Sequence, residues 1–450
     1  MSEASLTTSF FLKKGQIDQF GYKITLIKNT NNSSAVVGLT TYVRHFKLFE
    51  SIFSKFMYVE GLLIDGGGIV QRMGIQPGDI MVIDLYKDPG DTEDLKISKE
   101  FIIEQIGGQA RTDGNKVTRY PFRAVSKIGF EGLKNKVKKS FNGPADKVVT
   151  KISDDYLKAE PKLTKNFTST FGDIKYIASS ATPFDTIENI SKQCISASNP
   201  KDGNFFFYET RDSLVFRSLR DIVASGNTYP YILAVNKNRS ETSLANDYFR
   251  IQDFTHHEST DQRAKIQQGA LKNKTVLFDF ISRKVTETTF DVKRDYRDVL
   301  LMGDNLAMDD EEIGNYVDDD KRSTDEEQSL FIRCSNECYD QPQDYIGSIK
   351  SYAQAQRALM NQTVLTVTIH GNPRLKPGDT IELEMNQSSA EYKQEKDLFL
   401  RGKFLVGSCA HSVTDADRYV TICDIFKDGY ERSINDYRKD INNHFIKPRE

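Results

Sequence analysis

Two glutamates, Glu382 and Glu384, come nearest in type and spacing to an acid–base pair. Alternate residues of a strand point to the same face of a sheet, so their carboxylates would share one side. A glycosidase acid and base also need a cleft that separates their pKa values, and no aromatic-lined cleft is marked in the sequence around them. The apolar residues that alternate with them, Ile381 and Leu383, favour a strand with one buried and one wet face. We therefore predict no catalytic residues.

Histidines and cysteines give no better evidence for a metal site. His256 and His257 are adjacent, and adjacent side chains on a strand point to opposite faces. Cys334 and Cys338 form a CxxxC spacing, but no second pair of ligands follows at the spacing of a zinc site. We expect no bound metal and no cofactor.

Two loop segments match ligand-binding motifs only in part. Gly66-Gly67-Gly68 lacks the lysine and hydroxyl residue of a phosphate-binding loop, so we predict a turn or bulge. The acidic tract from Asp304 to Glu327 does not follow the order of ligands in an EF-hand. Its like charges favour an exposed, flexible loop over a calcium site.

Composition describes an ordinary chain of several domains. It has 450 residues, 38% hydrophobic and 28% charged, with no Trp and a formal net charge of −3. Length alone predicts three or four domains, and the charge gives no bias toward nucleic acid or anionic membrane. We expect no specific nucleic-acid binding and no membrane insertion. An odd number of scattered cysteines favours free thiols in a reducing compartment such as a cytosol: Cys194, Cys334, Cys338, Cys409 and Cys423.

One short motif occurs twice, about 300 residues apart. The residues concerned are Pro77, Gly78 and Asp79 in the first copy and Pro377, Gly378 and Asp379 in the second. Proline presets φ and glycine tolerates positive φ, so each copy suits a type II turn that leads into a strand. Each turn is predicted to have a structural role.

The sequences around the two turns are also alike. Each turn follows a β-rich run, 58–70 or 363–370, and precedes another, 100–106 or 399–409. Each copy then closes on a long alternating strand, within 117–130 and within 418–430. We infer one β module that is duplicated, with different material between its copies.

The predicted fold is α+β and multidomain, with two related antiparallel β-barrels flanking a central α+β region. The predicted units are a first barrel at 1–130, an α+β domain at 131–225, a mixed β domain at 226–303, the acidic loop at 304–329, a second barrel at 330–430 and a tail at 431–450.

Three features mark the insert between the barrels. A lysine-rich helical connection with a solvated face is predicted over 132–163, and a second helix is predicted to begin at Thr182-Pro183. A hairpin with a polar Arg-Asp-Ser turn is expected over 205–217. Further along, an apolar stripe over 344–362 predicts a helix that packs on the second barrel.

In this order of elements the chain resembles the baseplate hub proteins of contractile-tailed bacteriophages. The resemblance rests on the first module, the helix near Pro183, the hairpin at 206–216 and the second module with Lys376-Pro377-Gly378-Asp379. It implies a homotrimer whose two barrel modules alternate around an axis and join a sixfold tail tube to a threefold spike. Glu382 and Glu384 would then lie on a wet face, as possible lumen residues.

The resemblance also implies the partners and the location. The expected partners are the central spike protein, the tail tube or a tube-initiator protein, the tape measure protein and the baseplate wedge. The protein would reside in the tail baseplate of the virion and would not be an enzyme. Two alternatives stay open: a tail-tip cell-wall hydrolase, and a spike-base component of a contractile secretion apparatus, which would share the fold.

Overall fold

The computed structural model describes most of the chain. The described residues are 20–30, 33–87, 96–107, 110–112, 117–160, 162–199, 201–233, 248–257, 272–278, 283–291, 295, 300–303, 330–334, 344–385 and 400–430. The acidic tract and the predicted tail at 431–450 lie outside these ranges. Within them, no helix is both long enough and apolar enough to span a bilayer.

The first part of the chain is almost entirely strand. Its elements are β1 Gly21–Thr30, β2 Ser33–Gly38, β3 Val43–Ser51, β4 Tyr58–Asp65, α1 Ile69–Met73, β5 Ile80–Tyr86, β6 Lys96–Ile106, β7 Ala110–Thr112 and β8 Val117–Ser126.

The middle part mixes helices and short strands. Its elements are α2 Lys127–Lys134, β9 Val137–Pro144, α3 Ala145–Asp155, β10 Thr164–Phe167, β11 Asp173–Ala181, α4 Pro183–Ser191, β12 Phe205–Glu209, β13 Ser213–Ser218 and α5 Leu219–Ser225.

The last part returns to strand. Its elements are β14 Thr228–Leu233, β15 Ile251–His256, β16 Lys272–Phe278, β17 Val285–Asp291, β18 Leu330–Cys334, α6 Asp344–Met360, β19 Thr363–His370, β20 Thr380–Met385, β21 Gly402–Thr414 and β22 Arg418–Lys427.

The fold is mostly antiparallel β with few helices. Among the described residues, fourteen strands join in one sheet whose main path runs β15-β19-β22-β21-β3-β4-β8-β6-β5-β1-β2. On branches of this path, β14 pairs with β20, β20 with β21, and β7 with β8. Alternation explains the strands: in β5, Met81, Ile83 and Leu85 are buried while the residues between them are partly exposed.

The same arrangement of six strands occurs twice in this sheet. The first module comprises β1, β3, β4, β5, β6 and β8, and its spatial order is β3-β4-β8-β6-β5-β1. The second module comprises β14, β15, β19, β20, β21 and β22, and its order is β15-β19-β22-β21-β20-β14. Strands in equal positions also follow each other in the same order along the chain. One difference is direction: β1 is antiparallel to β5, whereas β14 is parallel to β20.

Irregularities in the pairing repeat at the same places. Two strand pairs in each module skip one residue, and the four skips are Val43/His45 for β3–β4, Ile251/Asp253 for β15–β19, Ile103/Gln105 for β6–β8 and Val406/Ser408 for β21–β22. β-Bulges are specific local features and do not recur by chance at matched positions of unrelated sheets. The inferred duplication is therefore visible in the backbone.

The two modules are joined by strand pairing within the chain. β21 pairs antiparallel with β3 from Ser408 opposite Ser51 to Val413 opposite Phe46. Separate apolar cores fill the first module, the middle part and the second module, and a further cluster that includes Ile52 and Leu405 lies where they meet. The modules consequently form one continuous sheet.

The structure corrects the predicted boundaries of the second barrel. β14 and β15 were assigned to a separate mixed β domain at 226–303, but they pair with β20 and β19 of the second module. Conversely, β18 at Leu330–Cys334, predicted to open the second barrel, pairs with β16. Sequence reasoning missed this because the partners of β14 and β15 lie more than 100 residues away along the chain.

Two predicted helical features also differ from the structure. α6 packs mainly on β16 and β17, with Phe290 edge-on to Tyr352 at a ring-centroid distance of 5.3 Å, and its last residue, Met360, lies in the cluster that includes Leu405 of the second module. The lysine-rich connection over 132–163 is interrupted by β9, which pairs with β11. In β9 the buried Val137 and Phe141 are four residues apart, with exposed Lys138 and Lys139 between them. A spacing of four residues places two side chains on one face of a strand as well as of a helix.

Candidate functional site

The two Pro-Gly-Asp turns share one set of backbone hydrogen bonds. Gly78 has φ +99° and Gly378 has φ +92°, a conformation that favours glycine. Gly78 N donates to Ile103 O at 2.8 Å, and Ile103 N donates to Asp79 O at 2.9 Å.

In the second copy, Gly378 N donates to Val406 O at 2.9 Å, and Val406 N donates to Asp379 O at 2.8 Å. In both copies the aspartate carboxylate also accepts from the backbone N–H three residues earlier, Gln76 at 3.1 Å or Lys376 at 3.0 Å. Each turn thus fixes the start of one strand against the next.

The surroundings of the two turns differ. Asp79 lies near Lys28 of β1, with 3.6 Å between Nζ and Oδ2. Asp379 is buried and accepts from Asn227 N at 3.1 Å; burial raises its pKa to about 6 despite the backbone N–H donors. A Cβ on Gly378 would lie 2.6 Å from Tyr208 Oη, whereas a Cβ on Gly78 would have no neighbour within 4 Å. The second turn is therefore packed against the middle part of the chain.

The middle part reaches this turn through the hairpin of β12 and β13. The hairpin is anchored by three buried aromatic side chains in the apolar core of the middle part: Phe205, Phe207 and Phe216. At its tip Thr210 N donates to Ser213 O at 2.8 Å, which closes a tight turn. We name residues 209–212 the hairpin tip. Their charged side chains reach both modules.

Arg211 is the central contact of the hairpin tip. Its Nη2 lies 3.0 Å from Oε1 of the fully buried Glu50 in β3 of the first module. The guanidinium also donates to the backbone carbonyls of Pro373 and Leu375, just before the second turn, the latter at 2.6 Å. A planar group with five donors suits such a set of separated acceptors. One side chain thereby ties the first module to the second.

His411 of β21 completes this contact. Its Nε2 lies 3.2 Å from Arg211 Nη2, and because arginine only donates, Nε2 must accept. The proton therefore sits on Nδ1, 2.8 Å from the hydroxyl of Tyr419. Burial, followed by the nearby Arg211 charge, holds the pKa of His411 well below its usual value. Its two hydrogen-bond contacts are those of a neutral imidazole.

The other carboxylates of the hairpin tip divide between the modules. The buried Glu209 carboxylate lies 2.8 Å from Lys99 Nζ and accepts from Met57 N at 3.2 Å, both in the first module, and from the hydroxyl of Ser126. Asp212 pairs with Lys376 Nζ of the second turn at 2.8 Å. Burial opposes ionisation of Asp212, but the Lys376 ammonium outweighs it and lowers the pKa.

A cavity of about 400 Å³ lies beside the hairpin tip. Cations and anions line it in mixture, including Lys99, Lys127, Glu160 and Glu209. Several of them pair with each other, as Lys127 does with Glu160 at 3.4 Å between Nζ and Oε1. The lining is thus ion-paired rather than arranged around one charge to be bound.

The residues considered for chemistry from sequence lie elsewhere. Glu382 and Glu384 are exposed on β20 while Ile381 and Leu383 are buried, which is the alternation expected of this strand. They lie on β20 of the second module, and that they face a lumen stays a prediction.

His256 and His257 are both exposed at the end of β15, and His257 Nε2 lies 2.7 Å from Thr366 Oγ1. Cys338 and the acidic tract lie outside the described residues. Within the described ranges, no group of three or more His, Cys, Asp or Glu side chains is placed to hold a metal ion.

The glycine triplet forms a turn in which backbone N–H groups of the turn and of the following α1 bind a carboxylate of the protein itself. The Asp65 carboxylate accepts from the backbone N–H of Gly67, Ile69 and Val70 at 2.9–3.0 Å. Burial opposes this charge, but the backbone donors outweigh it and lower the pKa of Asp65. The donors that a phosphate would need are bound to the protein's own carboxylate.

Of the cysteines, Cys194, Cys409 and Cys423 are free and buried. Cys409 and Cys423 lie opposite each other on β21 and β22, with 3.4 Å between their sulfur atoms. The side chains of Cys334 and Cys338 are outside the described part, so the prediction of free thiols at those two positions stays open.

Sequence reasoning identified the hairpin but missed the role of its tip. The sequence predicts Arg211 and Asp212 as part of a polar turn and Glu209 as part of the strand before it. The three ionisable residues directly follow a run of aromatics that predicts a buried strand, and a charge drawn toward the core needs a partner there. That local signal was present, but its partners Glu50 and His411 are distant in sequence.

Comparison with solved structures shows where this fold occurs. A tail protein from Neisseria meningitidis MC58 is 9% identical with a TM-score of 0.50, and the match covers 91% of this chain and 97% of that chain. The 43 kDa tail protein of prophage MuSo2 from Shewanella oneidensis is 11% identical with a TM-score of 0.52, covering 91% of this chain and all of that chain. An E. coli component of the type VI secretion system matches at a TM-score of 0.42, with 10% identity, 92% of this chain and 80% of that chain covered.

These similarities concern the fold. The first two structures extend over nearly the whole of both chains, so the chain has the fold of phage tail proteins, and this part of the expected resemblance is confirmed. The third is too distant to carry an argument. No protein-family model matches the chain, and no curated protein matches it in sequence.

Proposed function

We propose that the chain is a structural subunit of a phage tail baseplate hub, a homotrimer that joins the sixfold tail tube to the threefold central spike. The observation that carries this proposal is the duplicated module, with one strand order, matched bulges and matched Pro-Gly-Asp turns. Two copies of one shape per chain let threefold symmetry imitate sixfold symmetry. The fold shared with phage tail proteins supports the same conclusion.

Each module is proposed to act as a barrel of the tail-tube kind. In the second module, Ile232 of β14 bridges to Arg250 just before β15, so the first and last strands of its path approach each other. In the first module, the Tyr22 hydroxyl of β1 donates to the carbonyl of Val43, the first residue of β3, at 3.2 Å. Closing a sheet in this way removes most of its free edges.

Glu382 and Glu384 are proposed to face the lumen of the ring. They stand exposed on alternate positions of β20. Negative charge along a channel repels passing DNA and keeps it from adhering to the wall.

Binding partners follow from this position in the tail. The ring would contact the tail tube or its initiator on one side and the central spike on the other, with the tape measure protein in the lumen and the baseplate wedge outside. Assembly would take place in the host cytoplasm before incorporation into the virion. The hub role needs no catalysis, and we propose that the chain is not an enzyme.

Mass measurement in solution tests the proposal. Native mass spectrometry of the purified full chain at micromolar concentration should give three times the chain mass. A monomer or a dimer as the only species would contradict the hub assignment. Release of soluble sugars from cell walls by the purified protein would contradict the non-enzymatic role and favour the tail-tip hydrolase.

A further inference from the structure

β21 has two successive partners along one of its edges. At the second turn, Val406 N donates to Asp379 O at 2.8 Å; the next residue, Gly407, accepts from Ile52 N at 2.9 Å. From Ser408 to Val413 the strand then pairs with β3. The edge that the second module leaves open is therefore covered by the first module.

The corresponding edge of β6 also bonds first to a Pro-Gly-Asp turn, but in the described part of the chain no strand pairs with the edge after that. Ile103 N donates to Asp79 O at 2.9 Å, as Val406 does to Asp379. Beyond Ile103, no strand in the described part of the chain pairs with this edge of β6, whose opposite edge pairs with β8.

β15 occupies in the second module the position that β3 has in the first. It ends the path of the large sheet, and β14 reaches its outer edge only at Arg250, just before β15 begins. From Ile251 onward, no strand in the described part of the chain pairs with that outer edge. His257 N donates inward to Val364 O at 3.0 Å, whereas Phe254 N bonds to its own neighbour, Asp253 Oδ1, at 2.9 Å. A backbone donor capped by the preceding side chain is typical of an edge without a partner strand.

The side chains of β15 are more exposed than their counterparts in β3, as expected of a strand that lacks a partner on one edge. In β3, Phe46 and Leu48 are buried, at 2% and 0% exposure. By the shared bulge and register their counterparts in β15 are Phe254, which is half-buried, and His256, which is exposed.

We propose that the outer edge of β15 pairs antiparallel with the open edge of β6 and β7 in a second copy of this chain. The contact repeats between chains the β3–β21 pairing that exists within the chain. Three internal and three intermolecular contacts would then alternate around a closed ring. This inference rests on the proposed trimer and assigns its interface to particular strands.

The internal repeat also fixes the register of the contact. Within the chain, Ala410 of β21 lies opposite Phe49 of β3. Gly107 corresponds to Ala410, because each lies the same number of residues after the bulge of its strand, and the Gly107 N–H donates to the Pro121 carbonyl of β8 at that position. By the same count in β15 and β3, His257 corresponds to Phe49. Gly107 of one chain should therefore lie opposite His257 of the next.

A disulfide across this pair tests the register. Because His257 bonds inward to β19, the pair is of the non-hydrogen-bonded kind, with Cα atoms about 4.5 Å apart, which a disulfide can span. A Cβ on Gly107 would meet only Gln105 Nε2, at 4.0 Å, and His257 is exposed, so both positions accept cysteine. Mild oxidation of the Gly107→Cys/His257→Cys variant should shift the mass from one chain to a covalent trimer that reductant reverses.

The matched control moves one cysteine by one residue. In Gly107→Cys/His256→Cys the second side chain points to the other face of β15, and no covalent trimer is expected. A native trimer that does not cross-link through Gly107 and His257, or that cross-links equally in the control, overturns this interface and leaves the hub proposal standing. A protein that stays monomeric overturns both.

Discussion

At the scale of single residues, Arg211 contacts both modules where β3 and β21 join them. It faces a fully buried carboxylate on one module and backbone carbonyls on the other. Burying a charge is costly, and removing one partner of a buried pair leaves the other charge uncompensated.

We expect Arg211→Met to be strongly destabilising, by about 3–5 kcal/mol, because it leaves Glu50 buried without a cation. The midpoint of thermal unfolding should fall by roughly 2–4 °C for each kcal/mol. Calorimetry at pH 7.5 measures this.

The double variant Arg211→Met/Glu50→Gln supplies the control. Removing the orphaned charge should recover most of the lost stability. If the double variant is no more stable than Arg211→Met, the pair does not account for the effect.

His411 predicts an acid-sensitive contact. Its pKa is depressed in the folded protein, so its contribution is present above the ordinary histidine value of about 6.5. As pH falls below that value, the unfolded chain takes up a proton that the folded chain refuses, and stability is lost. Glu50 acts in the opposite direction, since burial raises its pKa.

His411→Gln isolates the histidine, because its amide oxygen can accept from Arg211 while Glu50 stays in place. Between pH 7.5 and 5.5, the unfolding midpoint of the unaltered protein should fall further than that of His411→Gln, by several degrees. Equal losses in the two proteins would show that His411 does not titrate on unfolding.

At the scale of elements, the two Pro-Gly-Asp turns share one backbone conformation but differ in what packs against them. Gly78 and Gly378 share a positive φ, but only Gly378 is packed against Tyr208.

Alanine at each glycine therefore makes a matched pair. Gly78→Ala should cost about 1–2 kcal/mol from backbone strain alone. Gly378→Ala should cost at least about 1 kcal/mol more, since its methyl group also displaces the Tyr208 hydroxyl. Denaturant unfolding of both variants measures the difference, and equal losses would contradict the packing role of the second turn.

Local chemistry explains which elements the sequence revealed. Alternation of apolar and polar residues predicts β19 and β20, and a run of aromatics predicts β12 and β13. Thr182-Pro183 predicts the start of α4, where the Thr182 side chain accepts from Asp185 N. Each of these signals comes from residues within a few positions of each other.

Long-range pairing stayed hidden for the same reason. Ser51 and Ser408 lie opposite each other across β3 and β21, and no local pattern predicts that pairing. The contacts of the hairpin tip with Glu50 and His411 are equally distant in sequence. The sequence could thus predict the repeated module and its turns, but not how the copies are joined.

At the scale of the whole molecule, the large sheet explains how one chain can supply two equivalent parts. β3 and β21 make the two modules continuous, and the hairpin tip braces the junction with buried charges. A rigid pair of modules is what a closed ring requires, because each pair must span the same angle.

Electron microscopy of the purified full chain, viewed down its symmetry axis, tests the central claim most directly. The account predicts a threefold ring with six lobes of similar size around an open centre, each chain contributing two neighbouring lobes. A compact particle without a ring, or a ring whose lobes number other than six, would contradict it.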